Sequence, residues 1–188
     1  MNKVNEALQR ILLAFENGAT NGTQDADWKT VYDEILSLYD HGHDDQDDEV
    51  LGKALEVAQR TKRPIPRGLA EELDSQAFGL GIMGQYEQAI RVFKAALLIL
   101  ESSLGQDHPD VGESRDWLAS FYVLEGEFAQ AEPLYKRSLA VNEKALGPDH
   151  ICVATTLENL AALYRKTNRA KEAEPLEVRA AAIRAINR

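Results

Sequence analysis

The chain is short of cysteine, of basic residues and of long apolar runs, and each shortage excludes a class of protein. One cysteine, Cys152, cannot close an internal disulfide, so a cross-linked secreted framework is excluded and a reducing, cytoplasmic setting is expected. Lys and Arg number 21 against 31 Asp and Glu, a formal net charge of −10. That balance argues against DNA or RNA as the main partner, because phosphate binding needs clustered cations. The apolar patch at residues 11–15 is too short for a signal core, and residues 97–100 fall far short of a bilayer span, so no membrane association is expected. Also missing are a serine nucleophile elbow, a phosphate loop and a Cys–His pair at recognisable spacing. No enzyme activity, cofactor or metal is expected.

What the chain does have is an echo. Residues Leu104-Gly105-Gln106-Asp107-His108-Pro109-Asp110-Val111 return as Leu146-Gly147-Pro148-Asp149-His150-Ile151-Cys152-Val153, an offset of 42. The same offset carries Leu118-Ala119 onto Leu160-Ala161, Tyr122 onto Tyr164, and Ala131-Glu132-Pro133-Leu134 onto Ala173-Glu174-Pro175-Leu176. Agreement under one fixed offset marks a repeat protein, whose units stack to bury a continuous core. One step back gives Ala77, Leu80, Gly84, Tyr86, Ala89 and Phe93; a second gives Gly42, Leu51, Ala54 and Leu55, with Asp47 where later copies place Ala89, Ala131 and Ala173. That earliest copy is degenerate.

Within a unit the apolar periodicity predicts two amphipathic helices. Val111, Leu118, Ala119, Phe121 and Tyr122 share one stripe, Gly126 breaks it, and Phe128, Ala131, Leu134, Tyr135, Leu139 and Val141 make the next. Pro109 suits a helix start, where its missing N–H costs nothing. Gly147 is expected to close the unit in a left-handed turn. Ala131 and Ala173 are small where two helix axes must approach closely. His108 and His150 recur beside Asp107 and Asp149, which points to a turn or helix start and not to two catalytic sites.

The spacing Leu118, Ala119, Tyr122, Gly126, Ala131, Tyr135 and Ser138 resembles the tetratricopeptide repeat. A standard unit has about 34 residues; with the longer period, Asp-His-Pro-Asp-Val and Ala-Glu-Pro-Leu-Tyr, this one is similar to the kinesin-light-chain type. The resemblance implies an all-α, right-handed superhelical solenoid of antiparallel helix pairs. Residues 1–67 are read as a capping helix plus the degenerate pair, and 68–188 as three repeats at about 68–105, 106–147 and 148–188. Glu177 in place of the aromatic and Ala181 in place of Leu139 thin the last helix, so residues 170–188 read as a wettable cap.

The family binds peptides along the concave side, lined by first helices. Carried onto this chain, the groove positions are Glu71, Asp74, Phe78 and Ile82 in the first clear copy. The second contributes Glu113, Asp116, Ser120, Val123 and Leu124, and the third Thr155, Glu158, Ala162, Arg165 and Lys166. Asp74, Asp116 and Glu158 form a ladder of acids that would steer a basic segment with apolar anchors. The same positions lie in opening turns of helices, where the macrodipole favours acids whatever the function. The basic groove residues by which kinesin light chains take acidic peptides are lacking, so that specificity is not transferred.

Three other features suggest alternatives. Gly79-Leu80-Gly81-Ile82-Met83-Gly84 fits the dinucleotide string G-x-G-x-x-G but lacks a preceding strand. His41-Gly42-His43-Asp44-Asp45 has metal-ligating residue types in what reads as a solvated loop. Residues 21–60 hold eleven acids against three bases, whereas 165–188 hold seven bases against three. That polarity allows homo-oligomers in which acids 44–49 of one copy meet Arg179, Arg184 and Arg188 of another. The expected function is a non-enzymatic scaffold or adaptor holding a protein segment, with self-assembly as the alternative.

Overall fold

The computed structural model describes residue 6, residues 9–11 and 13, and residues 31–37, 49–56 and 67–187. Every regular element among the described residues is helical. The chain separates into two compact units, Met1–Ser103 and Leu104–Arg188.

In the first unit, short helical segments at 31–37 and 49–56 bury Val31, Ile35, Val50, Leu51, Ala54 and Leu55. Two longer helices follow, α1 (Arg67–Ile82) and α2 (Tyr86–Leu104). The turn between them is set by Gly84 at φ 77°, a conformation that L side chains resist. Leu69, Ala70, Leu73 and Ala77 make the buried stripe of α1. The inner face of α2 includes Ala89, Phe93, Ala96 and Leu100, and Phe93 meets Phe78 edge-to-face at 5.1 Å and 88°.

Four helices build the second unit: α3 (Pro109–Glu125), α4 (Phe128–Leu146), α5 (Ile151–Lys166) and α6 (Ala170–Ile186). They pack as the pairs α3–α4 and α5–α6, with α4 laid against α5. His108 and His150 cap α3 and α5, each Nδ1 accepting the backbone N–H two residues on, from Asp110 at 3.2 Å and Cys152 at 3.3 Å. The recurring histidine is thus a helix-start device, as its place in the repeat suggests. Gly126 ends α3 in the left-handed region, and Asn168, at φ 60°, takes that role in the next copy. Gly147 departs from the expected left-handed turn: its φ is 94° but its ψ is 155°, an extended mirror-image conformation open essentially to glycine.

Ala119, Ala131, Tyr135, Leu160, Ala161, Tyr164 and Ala173 form one core, and Val153, Ala154, Leu157, Ala180 and Ile183 a second. A polar clamp ties the pairs together. Glu132 of α4 accepts from Arg169 at 2.6 Å, from Lys136 at 2.7 Å and from the Tyr164 hydroxyl at 3.1 Å, while the Arg169 guanidinium lies 4.1 Å over the Tyr164 ring. These donors, Arg169 foremost, pull the Glu132 carboxyl down to about 2.

Candidate functional site

Between α3 and α5 lies a groove of about 250 Å³. Pro109, Trp117 and the α4 residue Leu146 give it apolar walls, Asp110, Glu113 and Asp116 carry its charge, and Cys152, Thr155 and Asn159 line the α5 side. Trp117 is 42% exposed, an unusual position for a residue with so much apolar surface. Among the described residues lining the groove, none is basic.

Beneath it sits a buried polar network. Asn142 of α4 is 3% exposed, and its amide donates to the Ser138 hydroxyl at 3.2 Å and the Thr156 hydroxyl at 3.4 Å. The Thr156 hydroxyl in turn meets Asp116 Oδ2 at 2.5 Å and the Cys152 carbonyl at 3.1 Å. One hydroxyl proton cannot serve both acceptors; a protonated Asp116 would supply the second bond itself. Burial pushes the Asp116 carboxyl up to about 6, against the opposing pull of Thr156 and Ser138, and Glu113 adds to the rise. Asp116 Oδ1 is closed off from solvent without a hydrogen-bond partner. The Cys152 thiol is raised too, chiefly by burial and then by Glu113 and Asp116.

Gly112 makes the network fit. A Cβ there would stand 2.8 Å from Asn142 Oδ1, so α3 approaches α4 as closely as it does because the position carries no side chain. The equivalent residues in the neighbouring copies are Ala70 and Ala154, and Leu100 and Arg184 occupy the positions equivalent to Asn142.

Of the residues expected along a groove, the structure gathers Glu113, Asp116, Ser120 and Thr155 here. Ser120 bonds the Tyr135 hydroxyl at 2.9 Å. Glu158 and Arg165 are engaged elsewhere, each bidentate with α6. Glu158 takes Arg184 Nε at 2.5 Å and Nη2 at 2.6 Å, and Arg165 gives Nε at 2.9 Å and Nη2 at 2.7 Å to Glu177. Val123 packs half-buried against the core, whereas Leu124 is 57% exposed. In the first unit Glu71 is exposed, Asp74 and Phe78 are half-buried and Ile82 stands out in solvent. The lining residues that spacing did not assign to a groove are Pro109, Asp110, Trp117, Asn142, Leu146, Cys152 and Asn159.

Two family models described as tetratricopeptide repeat match residues 77–110 and 114–185, together more than half of the chain. The chain belongs to the tetratricopeptide-repeat family. Its fold is similar to that of BtubC (BKLC) from P. vanneervenii, with a TM-score of 0.62 at 17% identity, covering 97% of this chain and 90% of that one. A putative kinesin light chain of P. anserina with nearly identical TPR-like repeats gives a TM-score of 0.58 at 20% identity, covering 98% and 89% of the two chains. A variant of that protein with a single substitution gives 0.59 at the same identity. No curated protein matches the sequence. The tetratricopeptide repeat is typically a non-enzymatic framework for protein–protein contact.

The glycine string ends α1, so its helix terminus is the negative pole and repels a phosphate. His41, His43 and Asp44 lie outside the described residues. Of the arginines assigned to self-assembly, Arg179 pairs with Glu143 at 2.5 Å and Arg184 with Glu158, while Arg188 is outside the described residues. Among the described residues no helix is long and apolar enough to cross a membrane.

Proposed function

We propose that this tetratricopeptide-repeat protein is a non-enzymatic adaptor that holds an extended segment of another protein in the groove between α3 and α5. The observation that carries the reading is the groove itself: an open, apolar-walled slot with the exposed Trp117 at its side, on the first helices of two successive repeats. Large exposed aromatics beside polar groups are typical of contact surfaces. Its excess of acid and its exposed, unpaired cysteine support a partner that is neither nucleic acid nor lipid, met in a reducing cytoplasm. Glu71, Asp74, Phe78, Ile82 and Leu124 are proposed as further contacts, each on its own unit.

Photocrosslinking in native lysate tests this. A photoreactive residue placed at Thr155, inside the groove, should capture a discrete segment of one protein. The same residue at the exposed Ala140 of α4 should not. Equal capture from both positions, or none from Thr155, sinks the proposal.

A further inference from the structure

We infer that the groove selects an arginine side chain of the bound segment, its aliphatic stem laid along Trp117 and its guanidinium paired with Glu113 over the negative charge of Asp116. The inference rests on the groove being the binding site and goes further by naming what enters it.

Two properties of the groove have to be met by one occupant. Pro109, Trp117 and Leu146 present hydrocarbon and a ring face, which reward apolar contact. Asp110, Glu113 and Asp116 bring three carboxylates with no basic side chain among the lining residues. A purely apolar occupant would cover Glu113, above the buried Asp116, with no cation from the lining to balance it, and an acidic one would add like charge. A long side chain with a methylene stem and a cationic head satisfies both requirements. Guanidinium fits better than ammonium: it stacks on indole, sheds water more readily and offers five donors in a plane. At about 250 Å³ the slot is smaller than the usual small-molecule site and matches one inserted side chain.

Glu113 is the acid that stands exposed at the groove. Asp116 lies deeper, with Oδ2 taken by Thr156 and Oδ1 closed off from solvent, so it adds negative charge beneath the groove and no hydrogen bond to the occupant. Elsewhere in the unit the fold supplies arginines to its acids, as Arg184 does for Glu158 and Arg169 for Glu132. At Asp116 and Glu113 no such cation is supplied from the lining, and an arginine from outside would complete the pattern.

Titration of the whole chain with four capped pentapeptides, identical except for a central arginine, citrulline, leucine or glutamate, decides the matter. The readout is the Trp117 indole N–H signal in an NMR spectrum, assigned with Trp117→Phe. The arginine peptide should shift that signal and bind about tenfold more tightly than its uncharged citrulline isostere. Glu113→Gln, at an exposed position that leaves the fold intact, should cut that preference to about threefold or less. Equal binding of arginine and citrulline peptides, or tightest binding of leucine or glutamate, overturns the selectivity while leaving the groove as the binding site. If no peptide moves the Trp117 signal, the groove reading falls, and the selectivity with it.

Discussion

Asp116 on α3 and Glu158 on α5 stand at the same step of successive repeats, 42 residues apart, and their charges are met in opposite ways. Glu158 reaches Arg184 on α6 and is held below the ordinary glutamate range by that guanidinium. Asp116, one methylene shorter, has Asn142 at the sequence position equivalent to Arg184 and hydroxyl donors instead of a cation; its carboxyl is pushed up to about 6, chiefly by burial. One copy turns its acid into an ordinary surface ion pair that closes a helix pair. The other buries its acid beneath the groove, with hydroxyl donors and no cation. The repeat scaffold therefore fixes where a side chain stands, and the residues of the second helix decide whether it is paired with a cation or buried without one. Replacing single partners in each copy tests that contrast.

The largest effect is expected from Thr156→Val, which keeps the shape of the buried side chain and removes its hydroxyl. Ionised Asp116 then loses its donor at 2.5 Å and the Asn142 amide loses an acceptor. Leaving a charged buried group short of a donor costs about 2–3 kcal/mol. Urea unfolding at pH 7.5 should show that loss, and it should shrink at pH 5, where Asp116 is largely protonated. A variant as stable as the parent at both values would mean that Asp116 draws nothing from α5.

Asp116→Asn is expected to act in the opposite direction at neutral pH. The folded carboxyl titrates at about 6 against an ordinary value of 3.8, so between those values the folded chain binds more protons than the unfolded one. This group's contribution is therefore full below pH 4 and lost as pH rises through 6. The difference between those two values bounds the loss at about 3 kcal/mol. With the asparagine amide an imperfect substitute, Asp116→Asn should gain about 1–2 kcal/mol over the parent at pH 7.5 and nothing at pH 4. Unfolding midpoints across that range check the crossing, and parallel curves for the two proteins would show that Asp116 has an ordinary pKa.

Much of this architecture was legible because close packing repeats. Ala89, Ala131 and Ala173 recur at one step of the period, and all three are fully buried. Gly84, Gly126 and Asn168 recur at the chain reversals and all take positive φ. Spacing also brought Glu113, Asp116 and Ser120 to one groove. It did not place Glu158 and Arg165, because where those side chains end depends on Arg184 and Glu177 of a facing helix, and helix periodicity says nothing about the partner across the pair. The network under the groove was overlooked for the converse reason. Ser138 and Asn142 stand where the preceding copy carries Ala96 and Leu100, so a polar residue breaking a core stripe in one copy was the signal. Residues 38–48, with the histidine and acidic cluster, lie outside the described residues.

The smallest effect separates the two acids most clearly. Glu158→Gln removes one charge of a bidentate pair whose side chains are both more than 40% exposed. Exposed pairs gain little, because water already solvates both ions and two long side chains must be immobilised. The expected fall in Tm is below about 3 °C, diminishing further in high salt, where the pair is screened. Arg184 then has no carboxylate at 158 to hold it, but it stays solvated, so nothing buried is stranded. Asp116 lacks that escape: its Oδ1 is shut away from solvent. A Tm loss from Glu158→Gln as large as that from Thr156→Val, or one indifferent to salt, would make the third repeat's acid as buried in effect as the second's. The distinction between an acid paired at the surface and one buried without a cation would then have to be abandoned.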